Sequence, residues 1–312
     1  MKVSVCMITY NQEKFIAQAI ESVMMQETDF DYELVIGEDC STDRTRDICT
    51  AYQEKYPDKI RLLLRQENLG MMQNFIQAFL ACKGQYVALL EGDDYWTSSD
   101  KLQKQVDFLD TRPDYAICFA CTLAFYEDKR REPYHIPSPE YQKDTLTIED
   151  LLRVNSIATC SVMFRNGLLD GFPDWFFSLR MGDWPLHIMN AQHGKIGYVD
   201  ELVAAYRIHG SSYYSIRDIV SNLISNVSFY KAINSYLNFR YQTVIREMLA
   251  RTYQAISHQY LLRKDTANAR RYAFESIRTL PLRAYFSKRG IIAGSLKIFA
   301  QSITLKRRND SA

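Results

Sequence analysis

Three carboxylates, Glu91, Asp93 and Asp94, fall within four residues in the stretch Leu89-Leu90-Glu91-Gly92-Asp93-Asp94-Tyr95-Trp96. Like charges this close repel, so the stretch is either a solvated acidic turn or a place where a cation draws the carboxylates together. A hard divalent ion, Mg2+ or Mn2+, suits such oxygen ligands. It takes one or two carboxylates and fills its remaining positions with phosphate oxygens and water. The same cluster repels a nucleoside diphosphate without the metal and attracts it with the metal.

Two further polar clusters stand in equivalent places along the chain. Thr9-Tyr10-Asn11 follows the β-rich run 3–9, and Glu38-Asp39 follows the apolar run 32–37. Between them, residues 15–25 repeat apolar side chains at helical spacing: Phe15, Ile16, Ala19, Ile20, Val23 and Met24. Ser41-Thr42-Asp43 supplies capping residues for a second helix, and 60–64 reads as a third strand. A third helix over 71–82 carries Phe75, Ile76, Phe79 and Leu80 on one face and closes at Lys83-Gly84. A fourth strand, 87–90, leads into the carboxylates. Strands alternating with helices in this way predict right-handed βαβ units and a parallel sheet covered on both faces. Ligands of such sheets bind at the carboxyl ends of the strands, where all three polar clusters fall.

Residues 101–144 mix a helix (Leu102, Val106, Leu109) with a strand and a Pro-containing loop, 132–140, that reads as a flap or a surface loop. The stretch 146–212 reads as α+β, with 158–164 as a strand, and the pattern is helical beyond 215. A helical hairpin is expected over 253–262 and 267–280, before Pro281.

Composition sets the class. The 312 residues are 47% hydrophobic and 24% charged, as in a soluble globular protein. No stretch approaches the roughly 18 apolar residues that span a bilayer, and the N-terminal run turns polar at Thr9, too soon for a signal peptide. Seven cysteines form no framework; Cys118 and Cys121 sit in an apolar segment and read as buried thiols of a reduced, cytoplasmic protein. The net charge of +1 hides an asymmetry: residues 217–312 hold 17 Lys+Arg against 5 Asp+Glu, a balance of +12, leaving −11 for residues 1–216.

Several chemistries lack their motifs. No G-x-G-x-x-G follows the first strand and no G-x-x-x-x-G-K-[ST] occurs, which argues against dinucleotide cofactors and P-loop phosphate binding. Where a Gly-rich phosphate loop would stand, the chain has Tyr10-Asn11-Gln12-Glu13-Lys14. Something other than glycine backbone must neutralise a diphosphate here.

Five segments, "VSVCMITYN", "VIGEDCSTDRT", "ENLGMMQNF", "KGQYVALLEGDDYW" and "MGDWPLHI…YRIHGSS", resemble in this order those of family 2 inverting glycosyltransferases with the GT-A fold, over roughly residues 1–215. The resemblance implies transfer of a sugar from a nucleotide diphosphate donor, a UDP-sugar by expectation, with inversion at the anomeric carbon. Thr9, Tyr10, Asn11, Asp39 and Asn74 are then nucleotide-sugar-binding positions, although Asn68 and Asn74 also read as structural, at a turn and a helix. Glu91 and Asp93 match a D-x-D motif in which Glu replaces the first Asp. Asp93, Asp94 and His209 are the implied metal ligands, with Arg207 beside His209. Asp183, in Met181-Gly182-Asp183-Trp184, matches the catalytic base; as a bare residue, an Asp opening a helix is commonly an N-cap.

The expected architecture is therefore an α/β GT-A domain over 1–215, Rossmann-like with a mostly parallel sheet and flanking helices, followed by a basic α-helical region, 216–312. Within the domain, 1–100 forms the nucleotide-sugar half and 101–215 the acceptor side. The expected cofactor is Mn2+ or Mg2+, and the acceptor a glycan or lipid-linked saccharide in cell-surface polysaccharide synthesis. The basic stretches 283–289 and 306–308, with the apolar 291–293 and 296–299 between them, suggest an anionic membrane surface, with a neighbouring subunit of a homo-oligomer as the alternative, and no motif points to nucleic acid. The expected place is cytoplasmic, peripheral on the inner face of the cell membrane. Competing readings are a sugar nucleotidyltransferase, disfavoured by the missing Gly-rich loop, a structural adaptor, and a silent nucleotide-sugar-binding protein, which would not need Asp183.

Overall fold

The computed structural model describes residues 1–210, 218–280, 291 and 293–301, and the chain divides into two units, Met1–Gly210 and Ser211–Ala312. The first opens with the predicted alternation: β1 (Val3–Thr9), α1 (Ile16–Met24), β2 (Tyr32–Glu38), α2 (Thr45–Lys55), β3 (Ile60–Leu64), α3 (Met71–Ala81) and β4 (Tyr86–Glu91). It continues through β5 (Tyr95–Trp96), α4 (Lys101–Asp110), β6 (Tyr115–Tyr126), β7 (Tyr134–Ile136), β8 (Thr145–Leu146) and α5 (Ile148–Arg153). It ends with β9 (Met163–Arg165), α6 (Asp174–Phe177), α7 (Asp183–Asn190) and β10 (Lys195–Ile208).

One sheet runs β3-β2-β1-β4-β9-β6-β10-β5, with β7 on β6 and β8 on β10. The pairings among β1 to β4, and of β6 with β10, are parallel; β5, β7, β8 and β9 pair antiparallel. β1 and β2 are covered on both faces, which is why they read as near-continuous apolar runs. Register aligns Thr9 with Glu38 and Ile8 with Glu91, so the three polar clusters gather at one end of the sheet.

Two expectations change. Residues 158–164 are not one strand: a 3-10 turn over Thr159–Ser161 precedes the short β9. The apolar run is buried because the turn packs inward, and local pattern does not separate that from a buried strand. The Pro-containing loop 132–140 also holds the edge strand β7, paired to β6.

Lys101 is fully buried at the start of α4. Its Nζ donates to Gln105 Oε1 at 2.7 Å and lies 4.2 Å from the Trp96 ring centre. Trp96 Nε1 in turn donates to the Cys160 carbonyl, and Gln105 Nε2 to the Ser161 carbonyl, so this polar knot holds the 3-10 turn. Burial pushes the Lys101 ammonium down to about 7. All seven cysteines are free.

The second unit holds α8 (Ile219–Tyr236), α9 (Gln242–Leu262) and α10 (Thr266–Thr279), and residues 293–301 are helical. The expected hairpin is α9–α10: Ser257 Oγ donates to the Ala269 carbonyl at 2.6 Å, Ser276 Oγ to that of Ala250 at 2.7 Å, and Tyr260 stacks on Tyr272. The basic clusters 283–289 and 306–308 lie outside the described residues. Among those described, no helix is long and apolar enough to cross a membrane.

Candidate active site

The loop after β1 is closed by short polar links. Thr9 Oγ1 donates to Gln12 Oε1 at 2.8 Å, the Asn11 N–H to Ser41 Oγ, and Asn11 Oδ1 accepts from the Thr42 N–H at 2.8 Å. Gly92 packs onto this loop: a Cβ there would stand 2.5 Å from Gln12 Oε1 and 2.9 Å from Thr9 Oγ1. The backbone of the acidic turn therefore lies directly against the side chains of the first loop, and a larger residue at 92 would require those side chains to shift. Tyr10, 45% exposed, is open to solvent at the same end.

The acidic turn is locked to the end of β10. The Arg207 N–H donates to Asp94 Oδ1 at 2.8 Å and Arg207 Nε to the Asp93 carbonyl at 2.9 Å. The rest of the guanidinium reaches Gln18 and Glu127 and sits against the rings of Phe15, Phe125 and Tyr95. Arg207 is thus engaged in holding the turn. His209 Nε2 meets Asp93 Oδ2 at 2.9 Å, with its ring against Phe15.

The carboxylates are under electrostatic stress. Burial pushes Glu91 up to about 8, with help from the charges of Asp93 and Asp183. Burial, then Asp93 and Glu91, raise Asp94 well above the carboxylate range. Glu91 Oε2 and Asp94 Oδ2 are both buried without a hydrogen-bond partner. Native buried polar atoms are rarely left so, and two carboxylate oxygens together call for a proton or a cation. This donor set fits a hard divalent ion. Among the described residues no three or more His, Cys, Asp or Glu side chains form a ready-made cage, so an ion here needs further ligands, as Mg2+ and Mn2+ take from phosphates.

Asp183 opens α7, but the helix cap is Gly182, and no side-chain capping bond is made. Its carboxylate instead accepts from Asn155 Nδ2 at 2.8 Å. Its charge reaches Glu91, His187 and Tyr206, which sets it on the side of the site facing the acidic turn. Trp184 is pinned by an Nε1 bond to the Leu151 carbonyl, 2.7 Å long.

Of the two readings open for Asn74, the structure supports the structural one. Asn74 is 1% exposed; its Nδ2 donates to the Gly37 carbonyl at 2.8 Å and its Oδ1 accepts from Arg65 Nε. Buried and bonded on both sides of its amide, it ties α3 to the end of β2 rather than facing a ligand. Asp39 accepts the N–H groups of Leu69 and Gly70 at 2.8 and 3.0 Å. Burial still raises its carboxyl above the usual value, against those two donors. Asn155, Gln12, Gln18 and Glu127 escaped the sequence reading, because only long-range packing brings them to the motifs.

The arrangement, a parallel sheet with an acidic turn after its fourth strand and helices on both faces, is the GT-A fold. The chain belongs to glycosyl transferase family 2, whose model matches residues 4–172. It is 38% identical over 206 residues to the uncharacterized protein Rv1520 of Mycobacterium tuberculosis, covering 66% of this chain and 58% of that one. The match thus spans less than two thirds of that relative. It is 35% identical to the putative teichuronic acid biosynthesis glycosyltransferase TuaG of Bacillus subtilis, over 52% of this chain and 61% of TuaG. Among solved structures, Staphylococcus aureus TarS 1–349 in complex with UDP-GlcNAc superposes with a TM-score of 0.69 at 19% identity, over 99% of this chain and 92% of that one. The mannosyltransferase PcManGT of Pyrobaculum calidifontis, in complex with GDP-Man and Mn2+, gives 0.55 at 16% identity, over 96% and 87%. At these identities the fold is what is shared.

Proposed function

We propose that the chain is an inverting glycosyltransferase that moves a sugar from a UDP-sugar to a saccharide acceptor in cell-surface polysaccharide synthesis. The observation that carries this is the pairing of a strained carboxylate turn with a separate carboxylate, Asp183, fixed across from it. TuaG, a putative teichuronic acid biosynthesis glycosyltransferase, supports the acceptor class, and TarS, bound to UDP-GlcNAc, supports the donor class.

On this reading, Thr9, Tyr10, Asn11 and Asp39 line the nucleobase end. Asp39, with two amides already on its oxygens, keeps lone pairs for the imide N–H of uracil. Asp93 and His209, with the unpartnered oxygens of Glu91 and Asp94 in the same turn, would hold Mn2+ or Mg2+. Such an ion neutralises the diphosphate and stabilises it as leaving group. Asp183 accepts the proton of the attacking hydroxyl on the face opposite the diphosphate, as in-line displacement with inversion requires. The basic C-terminal stretches suggest binding to an anionic membrane surface, where lipid-linked acceptors lie.

A panel of nucleotide-sugars with Mn2+, UDP-GlcNAc included, tests the reading by thermal shift and by mass spectrometry of products on saccharide acceptors. Sugar transfer from one donor supports it, with a β product from an α donor as the mark of inversion. Transfer of a nucleotidyl group would replace it. Vesicle co-sedimentation, with binding that needs anionic lipid and weakens with salt, tests the membrane part.

A further inference from the structure

Asp183 has one side chain hydrogen-bonded to its carboxylate among the described residues, and it is Asn155, just past α5. The other end of that amide, Oδ1, is buried and accepts nothing. A buried acceptor left unmade is destabilising. The cost follows from the orientation, because turning the amide over would set its oxygen against the Asp183 carboxylate. The fold therefore keeps a donor aimed at Asp183 at the expense of an unsatisfied oxygen. Among the described residues no other neighbour does this work. Glu91 is a like charge; His187, one turn along α7, is held neutral by burial, which pushes it down to about 4. Trp184, next in the chain, is tied to α5.

We propose that Asn155 is the positioning residue of Asp183. Its Nδ2–H grips Oδ2, fixes the plane of the carboxylate, and leaves Oδ1 of Asp183 to receive the acceptor's proton. α5 anchors the arrangement by two links, through Asn155 and through Trp184, which hold the first turn of α7 on both of its opening residues. The inference rests on the reading of Asp183 as the base.

A double-mutant cycle tests it, with the donor that the nucleotide-sugar panel identifies and UDP with Mn2+ as the probe of the donor site. Asn155→Ala lowers kcat by about 10- to 100-fold, the scale of a misplaced catalytic group, while UDP affinity stays within about 2-fold on the same argument. In an Asp183→Asn background, Asn155→Ala changes kcat by less than about 2-fold, since residues acting as one unit are non-additive. Asn155→Ser, which keeps a donor, retains part of the activity and serves as the deciding variant if the alanine form does not fold. Full kcat in Asn155→Ala, or an equal loss in both backgrounds, overturns the positioning role and leaves the base reading intact. Wild-type kcat in Asp183→Asn alone overturns both.

Discussion

Nε2 of His209 lies 2.9 Å from Oδ2 of Asp93, joining the end of the sheet's last long strand to the acidic turn across 116 residues of sequence. Both groups are metal-ligand types, and neither needs to move far to share an ion between them. EDTA is expected to abolish turnover, and Mn2+ or Mg2+ to restore it. Asp93→Ala should leave no measurable transfer. His209→Ala should raise the metal concentration for half-activity by about 10- to 100-fold, the range seen when a metal's surroundings are altered. Turnover titrated against free metal checks all three.

Gly92→Ala probes the junction of the acidic turn with the first loop. The new methyl would press on the Gln12 and Thr9 side chains at less than 3.0 Å, so at least one of them must shift and break its bond to the other. Overpacking of this kind costs about 1–3 kcal/mol, read as a lower Tm. UDP affinity should fall with it, because on the proposed reading both segments border the donor site. A variant with wild-type Tm and affinity would show that the loop yields freely.

Lys101 gives a pH signature. Its ammonium is at about 7 in the fold, against its ordinary value near 10.5. The folded chain therefore binds fewer protons than the unfolded one between these values, and this group's contribution to stability rises with pH across about 7 to 10.5. Below about 7 the buried charge is carried at full penalty. Lys101→Met removes the titration at similar volume. The Tm difference between Lys101→Met and wild type should favour the variant most near pH 6 and shrink toward pH 9. A constant difference would mean that Lys101 is charged throughout.

Much of the first hundred residues was legible because its signals are local. β1, β3 and α3 come from short apolar periods, and the acidic clusters mark strand ends whatever pairs with them. The first unit ends at Gly210. What pattern did not reveal is what distant segments do to one another. The apolar run 158–164 reads as a strand, the pattern leaves Asn74 between a ligand contact and a structural role, and nothing local says what Arg207, beside His209, engages. In each case the side chain's partners are set by packing: Arg65 and Gly37 for Asn74, Gln18 and Glu127 for Arg207. Asn155 carried no signal at all, since a lone Asn 28 residues before Asp183 has no period and no motif.

On the proposed mechanism Asp183 takes the acceptor's proton, and Asp183→Asn removes that base. Asparagine keeps the size of the side chain but cannot serve as base. Measured under saturating donor, kcat should fall by roughly 10²-fold or more, the usual scale for losing a general base. UDP affinity in Mn2+, measured on the same protein by calorimetry, should stay unchanged. A variant that transfers sugar at the wild-type kcat would contradict the account and reduce Asp183 to the opening residue of a helix.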